Sequence, residues 1–511
     1  MAAGRKRDRK AEDIFTHGIK NSYGGIVANP LALGESQRWG DVGRSSRKFL
    51  RRLSALGVAF WRISEHPPET LPSGEKAAHS QGLWSSALAP NPLYVDGLDL
   101  YEWGLWTAEE RDFFETYAES DWPSYAAVKD YLLRRAARQF SHRASGELMA
   151  EFLSFAKTEK EWLEPYGLFQ SLHRALGKCP WQDWPEALKW KSKRAMDAAK
   201  RQLSEALQVE RLLQFFFYRQ WNSLRTLAKN LGISLIPSLP LWLDESMADL
   251  WLEPKFFSLD AQGHPNIRVI PQGSGEWRLK SFPVHPAYRW QRMAEDHYAW
   301  WGRRVQTLGR HCDALYISDF PELLRHAEIP LTAEGNIEKD IGNAEGDICT
   351  VAGPGVAFFQ VLQFRSGHRL CIADPKVEAL SSSAEWASLQ DVLSSFWCEW
   401  DAEPPTAAGD EKIPDTFRWV QLLRPVGQER PDSRRSIARI FRKCEPWGKA
   451  FRSALNLGKL RLLRRWKKWR QKQILGLPLY LRLQRLRQTP SQLVLHLRTW
   501  ARKISERDKD N

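Results

Sequence analysis

The sequence lacks the long apolar run that a membrane-spanning helix needs. No stretch of roughly eighteen or more consecutive apolar residues occurs in the 511 residues. The first residues, MAAGRKRDRKAED, are basic, but no apolar segment of the kind found in secretory signal peptides follows them. These two absences argue against the integral-membrane and secreted classes and predict a cytoplasmic protein.

Paired cysteines and glycine-rich loops are also missing. The six cysteines are scattered, with no Cys-x-x-Cys pair and no histidine at the spacing of a zinc site. They are interpreted as reduced core thiols, and no metal or other cofactor is predicted. No glycine-rich phosphate loop follows any apolar segment, which argues against a nucleotide-binding fold.

Positive charge is abundant only near the end of the chain. Residues 431–505 contain 21 Lys and Arg against two acidic residues, so the net charge of +14 leaves about −5 for the remainder. A content of 43% hydrophobic residues is enough for a sizeable core. We predict a disordered basic N-terminus over residues 1–20, an ordered body over 21–430 and a basic helical tail over 431–511.

Apolar periodicity in the body predicts alternating strands and helices. GGIVAN, the helix-like WGDVGRSSRKFLRRLSALGV and AFWRIS form a βαβ pattern, which implies parallel strands. Residues 101–230 are almost wholly helical in pattern. LGISLIPSLPLWL, CDALYIS and AFFQVLQF are predicted to be further strands. This order favours an α/β fold, a TIM-type (β/α)8-like barrel with a helical insertion subdomain.

Several segments keep the order and spacing of one enzyme family. They are GGIVANPLAL with WGDVG, SALAPNPLYVDGLDLYEWGLW, EWLEPYGLFQSLHRALGKCPWQDWP, and the run from LGISLIPSLPLWLDESMADLWLEPKFFSLDAQGHP to HYAWWGRR. These segments resemble the amylomaltase family, the 4-α-glucanotransferases or disproportionating enzymes. The resemblance implies an α-1,4-glucan cleft at the carboxyl ends of the strands. It also implies cleavage with retention by two carboxyl groups about 5 to 5.5 Å apart.

The stretch CDALYISDFPELLRHAEIP aligns without gaps to the family's nucleophile segment, Asp-Ala-Val-Arg-Ile-Asp-His-Phe-Arg-Gly. The resemblance puts Ser318 where the nucleophilic Asp belongs, Asp319 where the His belongs, and Tyr316 where an Arg belongs. A serine hydroxyl without an adjacent base is a poor nucleophile. Asp319 is a candidate for a relocated carboxylate, although the alternation of side chains along a strand would turn it away from the barrel mouth.

The other catalytic carboxylates of the family have no intact counterpart either. The segment EKDIG matches the family's Ala-Glu-Asp-Leu-Gly and places Lys339 at the acid/base position, with Glu338 as the relocation candidate. A lysine, with a reference pKa near 10.4, is a weak proton donor at neutral pH. No His-Asp dipeptide occurs anywhere in the chain, so the family's Thr-His-Asp motif is missing.

Four residues are candidates for substrate binding: Trp242, Asp249, Trp251 and Tyr316. Trp242 follows a predicted strand at the mouth and is a candidate platform for sugar stacking. Asp249 and Trp251 match a family segment near the cleft, where a structural role is the stronger expectation.

Three hypotheses for function follow. The leading one is a catalytically impaired amylomaltase homologue that acts as an α-glucan-binding or regulatory protein in glycogen or maltodextrin metabolism. The second is an active 4-α-glucanotransferase with relocated carboxylates. The third is a scaffold or membrane-associated protein in which the barrel is only a platform.

The tail segment LGKLRLLRRWKKWRQKQIL predicts a basic amphipathic helix. Such a helix can dock on its own acidic barrel, on an acidic partner or on an anionic membrane. Nothing in the tail is suited to reading bases, so no specific nucleic-acid partner is expected.

Overall fold

The computed structural model describes residues 22–34, 38–66, 82–270, 285–331, 349–367, 369–373, 397–401 and 418–423. The strands are β1 Ser22–Ala28, β2 Phe60–Ile63, β3 Ser234–Leu239, β4 Ile267–Ile270, β5 His285–Pro286, β6 Leu315–Ile317, β7 Arg325–Pro330, β8 Cys349–Ala352, β9 Leu370–Ala373, β10 Trp397–Asp401 and β11 Arg418–Leu423.

The α-helices are α1 Arg44–Ala55, α2 Gly97–Glu102, α3 Ala108–Glu115, α4 Trp122–Arg138, α5 Phe140–Arg143, α6 Gly146–Thr158, α7 Lys160–Ala175, α8 Glu186–Lys189, α9 Lys193–Gln202, α10 Ser204–Asn230, α11 Ala248–Leu252, α12 Trp290–Glu295, α13 Ala299–Gly309 and α14 Val356–Ser366. Short 3₁₀ helices lie at Pro30–Leu33, Pro92–Tyr94, Trp181–Asp183, Pro254–Phe256 and Phe320–Leu323.

Seven of the described strands close into a barrel in the order β1, β11, β10, β9, β6, β3, β2. The fold is therefore α/β and TIM-barrel-like, as the sequence predicts. It differs from a regular (β/α)8 barrel at β11, which runs antiparallel to both β1 and β10. Antiparallel neighbours need no helical crossover between them, so this part of the barrel departs from the strand–helix alternation.

Alternate residues of the barrel strands point inward and fill the barrel. The apolar interior consists of Val27, Phe60, Ile236, Ala314, Tyr316, Cys371 and Val420. On β2 the side chain two residues after Phe60 is Arg62, which also lies inside and is 7% exposed. The barrel interior therefore combines an apolar core with a buried charged side chain, which lies level with Val27 and Ile236.

A large helical region separates β2 from β3, as the apolar spacing of residues 101–230 predicts. The 27-residue helix α10 packs against both α7 and α4. Buried ion pairs also join these helices, such as Arg134 on α4 to Glu210 on α10 at 2.7 Å. The helices of this region are thus packed around α10.

One predicted strand is wrong. AFFQVLQF lies in helix α14, which buries Phe358, Phe359 and Leu362. A short apolar run has the same pattern in a buried strand as in a buried helix, and here Gly367, with φ 62°, ends the helix in the left-handed conformation. The next barrel strand is β9, so the segment expected to carry the third carboxylate begins after Ala373, outside the described residues.

A second sheet, which the sequence analysis missed, contains β5, β4, β7 and β8 in that order and is antiparallel throughout. Within the ranges given above, no helix is long and apolar enough to cross a lipid bilayer. Glu338, Lys339, the N-terminal residues 1–20 and the tail from residue 431 lie outside the described residues.

Candidate active site at the barrel mouth

Ser318, at the family's nucleophile position, lies directly after the last residue of β6. Its backbone N–H donates to the Leu239 carbonyl at 3.2 Å and extends the pairing of β6 with β3. The residue is 9% exposed, and its hydroxyl donates to Oε2 of Glu65 at 3.4 Å. A carboxyl group from another part of the chain therefore lies beside the hydroxyl.

Glu65 comes from the segment after β2, 253 residues away in the sequence. Burial raises the pKa of the Glu65 carboxyl to about 7, while the Ser318 hydroxyl and the charges of Arg62 and Arg304 act in the opposite direction. The side chain is 20% exposed, and the His66 ring is 4.0 Å from its Oε1. A carboxyl group that is partly neutral near pH 7 is what a general acid requires.

Asp319 adopts the left-handed conformation, with φ 51° and ψ 32°. Asp tolerates this conformation better than most residues, and it releases the side chain from the alternation of the strand. The alternation argument therefore does not fix the direction of this side chain. The side chain is exposed, and desolvation followed by the charge of Glu65 raises the pKa of Asp319 to about 6.

An ion pair lies inside the barrel below these carboxyl groups. Arg62 Nε is 2.6 Å from Oε2 of Glu399 on β10, and both side chains are buried. Arg62 Nη1 also donates to Ser238 Oγ at 3.1 Å. The guanidinium lies 4.1 Å from the centre of the Tyr316 ring. Tyr316, which is 8% exposed, therefore forms part of the floor of the mouth.

The loop that contains SALAPNP covers one side of the mouth and is fixed from three directions. Trp84 Nε1 donates to the Ser238 carbonyl at 2.7 Å. The Ala87 N–H donates to Asp249 Oδ2 at 2.8 Å, and Arg304 Nε donates to the Ala87 carbonyl at 3.1 Å. Burial raises the pKa of Asp249. Asp249 thus positions a loop of the mouth, and its contact with substrate stays a prediction.

The two tryptophans predicted to lie near the substrate are buried. Trp242 is 5% exposed, stacks on Tyr288 with ring centres 5.3 Å apart, and donates its indole N–H to the buried Glu322 carboxylate. Trp251 is 1% exposed and donates to the Leu188 carbonyl at 3.2 Å. Both indole rings pack against other residues of the protein. Direct stacking of a sugar on either ring stays a prediction.

The structure brings Ser318, Asp319 and Tyr316 together and adds polar residues that the sequence analysis missed. These are Arg62, Glu65, Arg304 and Glu399. Glu65 had a visible signal, because it follows directly the strand AFWRIS and the carboxyl ends of barrel strands are where functional side chains gather. In the ranges that the structure covers, no three or more His, Cys, Asp or Glu side chains form a group able to hold a metal ion.

Comparison with known proteins identifies the family. A family model described as 4-alpha-glucanotransferase matches residues 29–386. The 4-alpha-glucanotransferase of Thermus thermophilus is 30% identical over 365 residues, which are 70% of this chain and 69% of that enzyme. The chain belongs to the 4-α-glucanotransferase family.

Further relatives of this family agree on the matched region. The 4-alpha-glucanotransferase of Aquifex aeolicus is 28% identical over 310 residues and is covered over 61% of its length. The solved structure of the amylomaltase from Streptococcus agalactiae in complex with acarbose aligns with a TM-score of 0.59 at 20% identity and covers 72% of each chain. The last comparison supports the fold; the activity of the whole enzymes is carried to this member only as a proposal.

Proposed function

We propose that this family member binds α-1,4-glucan chains at the mouth of its barrel and does not transfer them by the double displacement of its relatives. The observation that carries the proposal is Ser318, a hydroxyl at the end of β6 where the family alignment expects the nucleophilic carboxylate. Transfer with retention requires a carboxylate that forms and releases a glycosyl ester. A serine ether would be too poor a leaving group for the second half of the reaction.

The neighbours of Ser318 do not restore its reactivity. Activation of a serine hydroxyl needs a general base held at about 2.6 to 3.2 Å. Among the described residues, the base in contact with Ser318 is Glu65, at 3.4 Å, and its raised pKa means that part of it is protonated near pH 7. The positive charge of Arg62, which lies over the Tyr316 ring at the floor of the mouth, is compensated by Glu399. The mouth thus keeps hydrogen-bonding groups while its catalytic positions are altered.

Binding rather than loss of all function is supported by how the mouth is maintained. The loop over the mouth is fixed by Trp84, Asp249 and Arg304, and each of these contacts is buried or half-buried. Family membership supports an α-1,4-glucan as the ligand. A regulatory role in glycogen or maltodextrin metabolism is part of the same proposal.

A second candidate, an active transferase with relocated carboxylates, is favoured by one observation. Glu65 and Asp319 both lie at the mouth near Ser318, and the charge of Glu65 contributes to the raised pKa of Asp319. Retaining glycosidases use two neighbouring carboxyl groups, one of which has a raised pKa and acts as the acid. Glu338, the other relocation candidate, lies outside the described residues.

Incubation of the full-length protein with maltotriose separates the two candidates. We expect no release of glucose and no longer maltodextrins, but measurable binding of maltohexaose by calorimetry. Disproportionation that is abolished in Glu65→Gln, Asp319→Asn or Glu338→Gln would establish the relocated-carboxylate candidate instead. Glu186→Gln is a matched control, because its side chain is 76% exposed on α8.

A further inference from the structure

We propose that Glu65 and Ser318 form a binding subsite for one sugar hydroxyl, in which Glu65 acts as a neutral carboxylic acid while the glucan lies over it. This inference rests on the proposed function, since it assigns residues and a pH dependence to the same mouth. It gives Glu65 a role in recognition, separate from any catalytic step.

The geometry leaves both groups with unused hydrogen-bonding capacity. Their oxygens are 3.4 Å apart, whereas a well-formed O–H···O bond is about 2.5 to 3.0 Å long. A serine hydroxyl offers one donor and two acceptor positions, and a carboxyl group has several acceptor positions. A ligand hydroxyl can therefore bond to either oxygen without breaking a strong existing bond.

The position of the pair also fits a ligand that crosses the mouth. Glu65 follows β2 and Ser318 follows β6, and these strands are separated in the barrel by β3. The two side chains therefore meet above the carboxyl end of β3. Below them, Ser238 of β3 is already engaged by Arg62. The Glu65 side chain is 20% exposed, so a ligand can approach the pair from solvent.

Charged side chains from several elements act on Glu65. Arg62 on β2 and Arg304 on α13 favour its ionised form, and the charge of Glu65 in turn raises the pKa of Asp319 after β6. His66 approaches from the same segment, with its ring nitrogen at 4.0 Å. Arg62 is already neutralised by Glu399, which weakens its effect on Glu65.

A bound glucan would cover the open side of Glu65 and remove its remaining water. Desolvation penalises a charged carboxylate far more than a neutral acid. A neutral acid can also donate one hydrogen bond and accept another, as a sugar hydroxyl does. Binding therefore raises the pKa of Glu65 further, so the bound state takes up protons and affinity falls as the pH rises through about 7.

Calorimetry with maltohexaose on the full-length protein tests this at pH 6 and pH 8. We expect about tenfold weaker binding at pH 8, where only about a tenth of a group with a pKa near 7 is protonated. Glu65→Gln carries a neutral amide at both pH values, so its affinity should not change with pH. Ser318→Ala should weaken binding several-fold at pH 6, and Glu186→Gln should behave like the parent.

Each other outcome has a defined meaning. Parent affinity that does not vary with pH, or Glu65→Gln that keeps the parent's pH dependence, overturns the inference while leaving glucan binding intact. A pH dependence abolished by Asp319→Asn alone assigns the effect to Asp319 and also overturns it. The absence of any maltohexaose binding by the parent at both pH values overturns the proposed function and the inference with it.

Discussion

Acidic side chains with raised pKa values lie in two regions, the turn before α1 and the barrel mouth, and their hydrogen-bond partners differ. At the turn, Asp41 accepts hydrogen bonds from the Gly43 and Ser45 backbone N–H groups at 2.9 and 3.1 Å. Asp96 accepts from the backbone N–H groups of Arg44 and Leu98 at 3.0 and 2.9 Å. These carboxylates accept short hydrogen bonds from backbone N–H groups, whose positions are fixed by the fold.

At the mouth, by contrast, Glu65 has one long hydrogen bond to a serine and Asp319 is exposed. Desolvation raises the pKa of Glu65 and that of Asp96 alike to about 7. A raised pKa by itself therefore does not identify a functional group in this protein. The number and strength of the partners separate a structural acid from one that still has room for a ligand.

The largest expected effect comes from the ion pair beneath the mouth. Glu399→Gln leaves the buried Arg62 guanidinium without a compensating charge, which should cost about 4 kcal/mol of unfolding free energy. The double variant Arg62→Met with Glu399→Leu should recover most of that loss, because it removes both charges. Denaturant unfolding of the three proteins measures this. A Glu399→Gln protein as stable as the parent would mean that the ion pair contributes little to stability, like the weakly bonded groups of the mouth.

An acidic side chain of α2 that bonds to α1 should also be costly to remove. Asp99 accepts two hydrogen bonds from Arg47, at 2.9 and 2.7 Å. Asp99→Ala should lower the unfolding free energy by about 3 kcal/mol. Asp319→Asn should change it by less than about 0.5 kcal/mol, since that side chain is exposed. Equal losses of unfolding free energy in the two variants would contradict the difference between the well-bonded acids near α1 and the acids of the mouth.

Glu65 should reduce stability at high pH. Its folded-state pKa of about 7 lies above its ordinary value of 4.5, so the folded protein holds this proton more tightly than the unfolded chain. The cost is absent below about pH 4.5, develops as the pH rises and is complete above about pH 7. Glu65→Gln should therefore stabilise the protein by about 2 kcal/mol at pH 8 and by little at pH 5.

Melting temperatures of Glu65→Gln and the parent, recorded at both pH values, provide the measurement. Glu186→Gln serves as the exposed control and should track the parent at each pH. A Glu65→Gln protein that is less stable at pH 8 would mean that Glu65 is held as firmly as the acids of the turn.

The smallest expected effect concerns Trp242. Trp242→Phe keeps a flat ring against Tyr288 but removes the indole N–H donated to Glu322. We expect a loss of about 1 kcal/mol in stability and less than a twofold change in maltohexaose affinity. A large loss of affinity with unchanged stability would support the sugar-stacking role predicted from the sequence.

The apolar pattern of the sequence predicted secondary structure correctly where an element is long or where parallel strands flank a helix. β1, α1 and β2 lie where the βαβ pattern predicts, and α10 lies in the region predicted to be helical. The pattern failed at α14, because a run such as AFFQVLQF is apolar enough to be buried in either conformation. It also missed β4, β5, β7 and β8, short strands whose pairing depends on distant segments.

The site was predicted only in part, for a related reason. Family alignment located Ser318 and Asp319, because one continuous segment carries both. Glu65 had a local signal in its place directly after β2, but its contact with Ser318 and the pairing of Glu399 with Arg62 depend on closure of the barrel, which no local pattern predicts. The left-handed conformation of Asp319 was equally hidden, since it is a property of the turn after β6.

The antiparallel strand β11 has a consequence for how the chain acquires its shape during synthesis. β11 pairs with β1, so the barrel seam joins Ser22 to Leu423 across roughly 400 residues of sequence. On a ribosome, β1 emerges long before its second neighbour exists, and its edge stays open until β11 follows. We therefore expect nascent chains that end before β11 to be captured by chaperones, and barrel closure to be a late and slow step of folding.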